Sequence, residues 1–155
     1  MTKKYWLFKS EPDAFSFEDL LKSPKKTTYW DGVRNYQARN LLRDEIKKGD
    51  EVLFYHSRVK PMCIVGTAIV SRGAYPDPTQ FDKKSKYFDE KATTEKPRWY
   101  VVDIKANQRF EEPLTRDELK DMPVLSKMVL LQKGSRLSVQ PVTASEWKAI
   151  LKRAK

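Results

Sequence analysis

The sequence predicts an α+β protein, a small mixed or antiparallel β-barrel with short helices around it. Three observations carry that prediction. Stretches at 5–10, 51–57, 63–70 and 98–105 are dense in aromatic and β-branched residues and read as strands. Helical patterns fall between them without the even βαβα spacing of a parallel sheet. No helix of crossover length separates the second strand from the third, which favours a mixed or antiparallel barrel. At 155 residues the chain reads as one domain, 1–155, long enough to bury a core without metals or disulfides.

Each element has its own justification. Tyr5-Trp6-Leu7-Phe8-Lys9-Ser10 forms the first strand and is stopped by Glu11-Pro12. A short helix follows over 15–21, where Ser16 and Asp19 match a capping box and Phe15 and Leu20 supply its hydrophobic staple. A helix after Val33 is expected to run to about Lys48, with Gly49 as its left-handed cap. Alternation along 51–57 puts Val52, Phe54 and His56 on one face and Leu53, Tyr55 and Ser57 on the other. Gly66 inside the third strand signals a bulge or a close backbone approach. Tyr75-Pro76-Asp77-Pro78 is expected to end the sheet, because two prolines remove donors. A long polar loop over 79–97 is read as an ordered excursion pinned by Phe81, Tyr87 and Phe88. The strongest strand, 98–105, continues toward Phe110, and Thr115 with Glu118 opens the next helix. The stretch 124–131 is ambiguous between helix and strand. Residues 137–141 form a last strand, with Ser138 and Gln140 to one side, and Thr143 with Glu146 caps a terminal helix.

Composition narrows the function. A net charge of +10 and a pI near 9.6 suit nucleic acid or another anionic surface. Lys133, Arg136, Lys148, Lys152, Arg153 and Lys155 stand against Glu146 alone, which places half of that charge in the last stretch. A charged terminal helix kept soluble by lysines explains the same run. No apolar run approaches the ~20 residues that span a bilayer, and the N-terminal apolar stretch is too short for a signal peptide. An intracellular protein without a membrane partner is expected, cytoplasmic in a bacterium and nuclear in a eukaryote. Cys63 is the only cysteine, so no internal disulfide forms and no zinc spacing exists. No cofactor is expected, and a monomer is the expected state.

Residues 30–40, Trp-Asp-Gly-Val-Arg-Asn-Tyr-Gln-Ala-Arg-Asn, combine an aromatic, a turn and a polar helix start. Asp31-Gly32 is a turn dipeptide. A helix opening with Arg34 and Asn35 offers backbone N–H groups and a guanidinium to an anion, while Trp30 suits a planar ring. The plainer alternative is a buried tryptophan over an ordinary amphipathic helix. Candidates for catalysis are thin. His56 is the sole histidine, and Ser57 beside it points to the opposite face of the strand. Asp77 between two prolines suits a turn as well as a positioned carboxylate. Aromatics at Trp30, Tyr55, Tyr75 and Trp99, interleaved with cations, favour binding over turnover.

Motifs along nearly the whole chain resemble the EVE domain family, within the PUA-like group. They are Tyr5-Trp6-Leu7 with Lys9-Ser10-Glu11-Pro12, Trp30 through Asn40, Gly49-Asp50 with Phe54-Tyr55-His56-Ser57, and Ala74-Tyr75-Pro76-Asp77-Pro78. Lys96-Pro97-Arg98-Trp99-Tyr100 and Leu137-Ser138-Val139-Gln140-Pro141-Val142 complete the series. The resemblance implies a PUA-like mixed β-barrel surrounded by short helices, akin to YTH domains that read methylated adenine in RNA. It implies a non-catalytic reader of a flipped modified base, a modified cytosine such as 5-methylcytosine in DNA first, with RNA left open. Carried over, the base pocket comprises Lys9, Ser10, Trp30, Val33, Tyr55, His56, Ser57, Tyr75, Asp77 and Gln140. Ser10, Asp77 or Gln140 reads the base edge. Arg34, Asn35, Arg39, Arg136 and the basic C-terminal region hold phosphates. Trp30→Ala is expected to weaken binding with the fold intact. The alternatives are a nucleotide-processing enzyme of the ASCH type and an RNA-binding domain indifferent to modification.

Overall fold

The computed structural model describes residues 3–133 and 137–154. Six strands form one mixed sheet: β1 (Tyr5–Ser10), β2 (Thr27–Tyr29), β3 (Glu51–His56), β4 (Cys63–Pro76), β5 (Tyr100–Thr115) and β6 (Val139–Val142). Their order across the sheet is β2-β5-β4-β3-β1-β6. β1 runs parallel to β3, and every other pairing is antiparallel. Alternation buries both faces. Trp6, Phe8, Val52, Phe54, Ala68, Val70, Val102, Ile104 and Val139 join one core that includes Trp30. Leu7, Leu53, Tyr55 and Ile64 point into a second core on the outer face.

Short helices cover these faces, as expected for an α+β chain. α1 (Phe17–Lys22), α2 (Tyr36–Asn40), α3 (Arg116–Lys120) and α4 (Ala144–Arg153) are the regular ones. Ser16 with Asp19, Thr115 with Glu118 and Thr143 with Glu146 all form capping boxes, satisfying N–H groups that a helix start leaves open. α1 and α2 pack on the inner core. α3 and α4 pack on the outer one, where Tyr5 stacks on Trp147 with centroids 4.7 Å apart. Among the described residues no helix is long and apolar enough to cross a membrane.

Three local expectations need correction. The helix after Val33 is short: α2 passes into a π turn, Leu41–Glu45, and Ile46 is already extended. The cause is Asp50, buried at 4% exposure, whose carboxylate accepts from Lys47 N (3.0 Å), Trp6 Nε1 (2.9 Å) and Lys4 N (3.1 Å). These bonds draw 47–50 into a loop, and Gly49 takes its positive φ of 95° there. The sheet does not end before Tyr75, since β4 pairs Tyr75 with Val101 and Pro76 with Tyr100. Pro76 is tolerated at the strand's last position, and Asp77 N donates to Trp99 O just beyond it. The stretch 124–131 is neither helix nor strand but carries two 3-10 turns, Pro123–Leu125 and Val129–Leu131. Gly66 meets expectation at a register shift against β5, with the Gln108 carbonyl and the Phe17 ring where a Cβ would lie.

Candidate nucleic-acid interface

Beyond β2 the chain enters 30–35 as a looped segment pinned at both ends. Trp30 N donates to Val102 O at 2.9 Å. Gly32 N donates to Asp77 Oδ2 at 3.0 Å. Gly32 has φ of 76°, and a Cβ there would lie 2.5 Å from the Tyr87 ring, so both conformation and space require glycine. This segment, the end of β1 and Tyr87 enclose an open cavity of about 470 Å³. That volume lies in the roughly 300–1,000 Å³ range of small-molecule sites.

Trp30 lines the cavity yet is only 8% exposed. It packs edge-on against Phe15 and Phe54 and tilted against Phe8, at centroid distances of 6.3, 5.5 and 5.2 Å. No described residue accepts a hydrogen bond from its indole N–H. The ring is therefore a core residue with one part turned to the cavity, and both readings of Trp30 hold at once.

Asp77 lies behind this wall, fully buried. Its Oδ2 accepts from Gly32 N and from Arg34 Nη1 at 3.2 Å, and its Oδ1 accepts from Thr79 N at 2.7 Å and from Thr79 Oγ1. Arg34 also donates to the carbonyls of Val33 (3.0 Å) and Tyr87 (2.8 Å), and its guanidinium sits over the Tyr87 and Trp99 rings. Asp77 and Arg34 thus brace the cavity wall against the long loop. Gln80 secures the loop from its own side, buried and bonded to Asp77 O, Trp99 O, and the N–H groups of Arg98 and Trp99. Phe88 is exposed at 38%.

Of the ten pocket residues drawn from the sequence, Lys9, Ser10, Trp30 and Val33 line the cavity and Asp77 stands directly behind it. The other five do not line it. Tyr55 points into the outer core, where burial pushes its hydroxyl up to about 12. His56 lines a separate groove with Phe17, Glu18 and Arg109, and its Nε2 accepts from Phe17 N at 3.1 Å. Burial lowers its pKa. Ser57 N donates to Ser10 O, which ties β3 to the cavity's edge. Tyr75 donates to Asp103 at 2.6 Å under the Arg72 guanidinium. Gln140 pairs with Leu7 across β6 and β1, and its Nε2 donates to Leu137 O.

The phosphate candidates are reassigned in part. α2 has five residues, and Asn35 uses its own side chain to cap Ala38 N, so the helix start is not an open anion cradle. Arg39 donates to Asn40 and to Arg98 O while lying over the Tyr36 ring. Arg136 lies outside the described residues. α4 contributes nothing to the cavity lining. The cations that do line it are Lys9, Lys86 and Arg34. Burial, with Arg116 nearby, lowers the Lys9 ammonium from its ordinary value.

Sequence reasoning overlooked Asp31, Tyr87, Lys86 and Tyr29 as cavity residues. Asp31 was visible as the residue after Trp30, but a turn dipeptide explained it. Asp31 is exposed as a residue, and partial desolvation of its carboxyl first, with the negative Asp77 second, raises its pKa. Among the described residues no group of three or more His, Cys, Asp or Glu is placed to hold a metal ion.

Comparison with known proteins agrees with this architecture. The EVE domain matches residues 4–153. Thymocyte nuclear protein 1 of Rattus norvegicus is 42% identical over 164 residues, covering 95% of this chain and 72% of that protein. A hypothetical protein from Leishmania major is 52% identical, with a TM-score of 0.90 over 97% of this chain and 94% of the other. The human THYN1 protein, solved in complex with 5-methylcytosine containing DNA, is 40% identical at a TM-score of 0.91, covering 97% of this chain and 96% of that one. On the match over residues 4–153 and these identities, the chain belongs to the EVE domain family.

Proposed function

We propose that this chain is a non-catalytic DNA-binding reader that takes an extruded, modified base, 5-methylcytosine first, into the cavity at Trp30. The observation that carries this reading is the cavity itself. It joins an aromatic wall, an indole N–H without a partner among the described residues and three lining cations, in a chain similar to one solved with 5-methylcytosine containing DNA. Base-on-aromatic stacking contributes about 1–3 kcal/mol per base. Extruding a paired base costs a few kcal/mol. Stacking alone therefore leaves little net affinity, and the phosphate attraction of Lys9, Lys86 and the overall charge of +10 supplies the rest.

The hydrolytic alternative draws on Asp77 or His56. Asp77 accepts four hydrogen bonds from the wall and the loop, and His56 faces the other groove with Nε2 occupied. Both are better explained as struts. The test is a fluorescence-anisotropy titration at fixed salt with matched DNA and RNA strands carrying cytosine, 5-methylcytosine, hydroxymethylcytosine or methylated adenine. Tightest binding to 5-methylcytosine DNA is expected. Equal, salt-sensitive binding to all of them would refute the reader and leave a modification-indifferent domain.

A further inference from the structure

Thymine is the difficulty for any pocket that recognises 5-methylcytosine by its ring face and methyl group. It carries the same methyl group on the same ring, and differs in having an oxygen for the 4-amino group and a proton on N3. Stacking on Trp30 does not separate the two bases. A DNA reader of this kind needs an acceptor set against the 4-amino group.

The polar groups at the cavity are unequally available for that task. Asp77 is saturated by Gly32, Arg34 and Thr79. Ser10 Oγ donates to the Phe15 carbonyl. Asp31 lines the cavity next to Trp30 and has no ion pair or side-chain hydrogen bond with any other described residue. Its backbone is held on both sides, by Trp30 N on Val102 O and by Gly32 N on Asp77, so the carboxyl is presented from a fixed turn.

We propose that Asp31 is the specificity determinant that separates 5-methylcytosine from thymine, one carboxyl oxygen accepting from the 4-amino group. This rests on the reader function above. A carboxylate is acceptor-only and so matches the 4-amino donor. Thymine sets its O4 against the same carboxylate oxygen, acceptor against acceptor.

The test uses the full chain and duplexes in which the target base stands opposite an abasic site, so that extrusion costs the same for each base. Wild type is expected to bind 5-methylcytosine about tenfold or more tighter than thymine. Asp31→Asn presents either an amide donor or a carbonyl acceptor, so thymine binding rises and the ratio falls to about threefold or less. Asp31→Ala weakens 5-methylcytosine and does not weaken thymine, so the ratio falls there too. A ratio kept in both variants overturns the assignment while the reader stands. So does a ratio that collapses in Glu11→Gln, the other carboxylate lining the cavity, and not in Asp31→Asn. A wild type that binds 5-methylcytosine no better than cytosine removes the reader, and this assignment with it.

Discussion

Asp77→Asn is the substitution whose consequence follows most directly from geometry. The carboxylate is fully buried and accepts two hydrogen bonds at each oxygen, from Gly32 and Arg34 at one and from Thr79 at the other. Asparagine keeps one carbonyl oxygen and turns an NH₂ toward the other pair of donors. Either orientation loses two bonds and opposes donor to donor. In either orientation Arg34 loses its countercharge; breaking a buried pair from one side costs about 3–5 kcal/mol. The Arg34 side chain is 24% exposed, so water relieves part of this and the lower end, about 3 kcal/mol, is expected. In a chain of this size that is a fall of about 6–12 °C in Tm. Thermal unfolding followed by circular dichroism reads it, and a double-mutant cycle with Arg34→Met should return a coupling of about 1–3 kcal/mol. A Tm within about 2 °C of wild type would refute the bracing role.

Trp30→Ala is expected to cost about 3–5 kcal/mol of stability as well as binding, because it opens a cavity among Phe8, Phe15 and Phe54; unchanged unfolding would show that the ring does not pack there. Trp30→Phe keeps most of that packing and is the variant for reading affinity, with a fall in 5-methylcytosine binding measured by anisotropy. Lys86→Ala should lower the slope of log affinity against log salt by about 1 without changing base preference, and a changed preference would move Lys86 from phosphate to base. The chain's one histidine sets a pH dependence: the half-buried His56 has a folded pKa below 6.5, so the unfolded chain binds the extra proton first. Stability is full above about pH 6.5 and falls as pH drops through the folded value. His56→Gln should flatten that part of a Tm-versus-pH curve, and an unaltered curve would count against it.

Much of the fold was legible because its signals are local. Capping boxes at Ser16, Thr115 and Thr143 need only residues three apart, and all are present. The shortened α2 was not legible, since Asp50 draws on Trp6 and Lys4, 44 and 46 residues away. The candidate site was legible at its aromatic wall and less so around it. Alternation already placed Phe54 and Tyr55 on opposite faces, and the structure puts Phe54 against Trp30 and Tyr55 in the outer core. A pocket drawn from motif resemblance mixes the two faces, because motifs record which residues recur and not which way a strand turns them. Tyr87 and Lys86 reach the cavity from the long loop, where no periodicity marks them.

The central claim is that a base leaves the DNA stack for the cavity at Trp30, and 2-aminopurine fluorescence measures this most directly. The probe is placed next to a single 5-methylcytosine in duplex DNA, where stacking quenches it, and saturating protein is added. The account predicts a rise in emission with wild type that is much reduced with Trp30→Phe at matched occupancy. Emission unchanged at saturation would mean that the base stays stacked, and would contradict the reader mechanism.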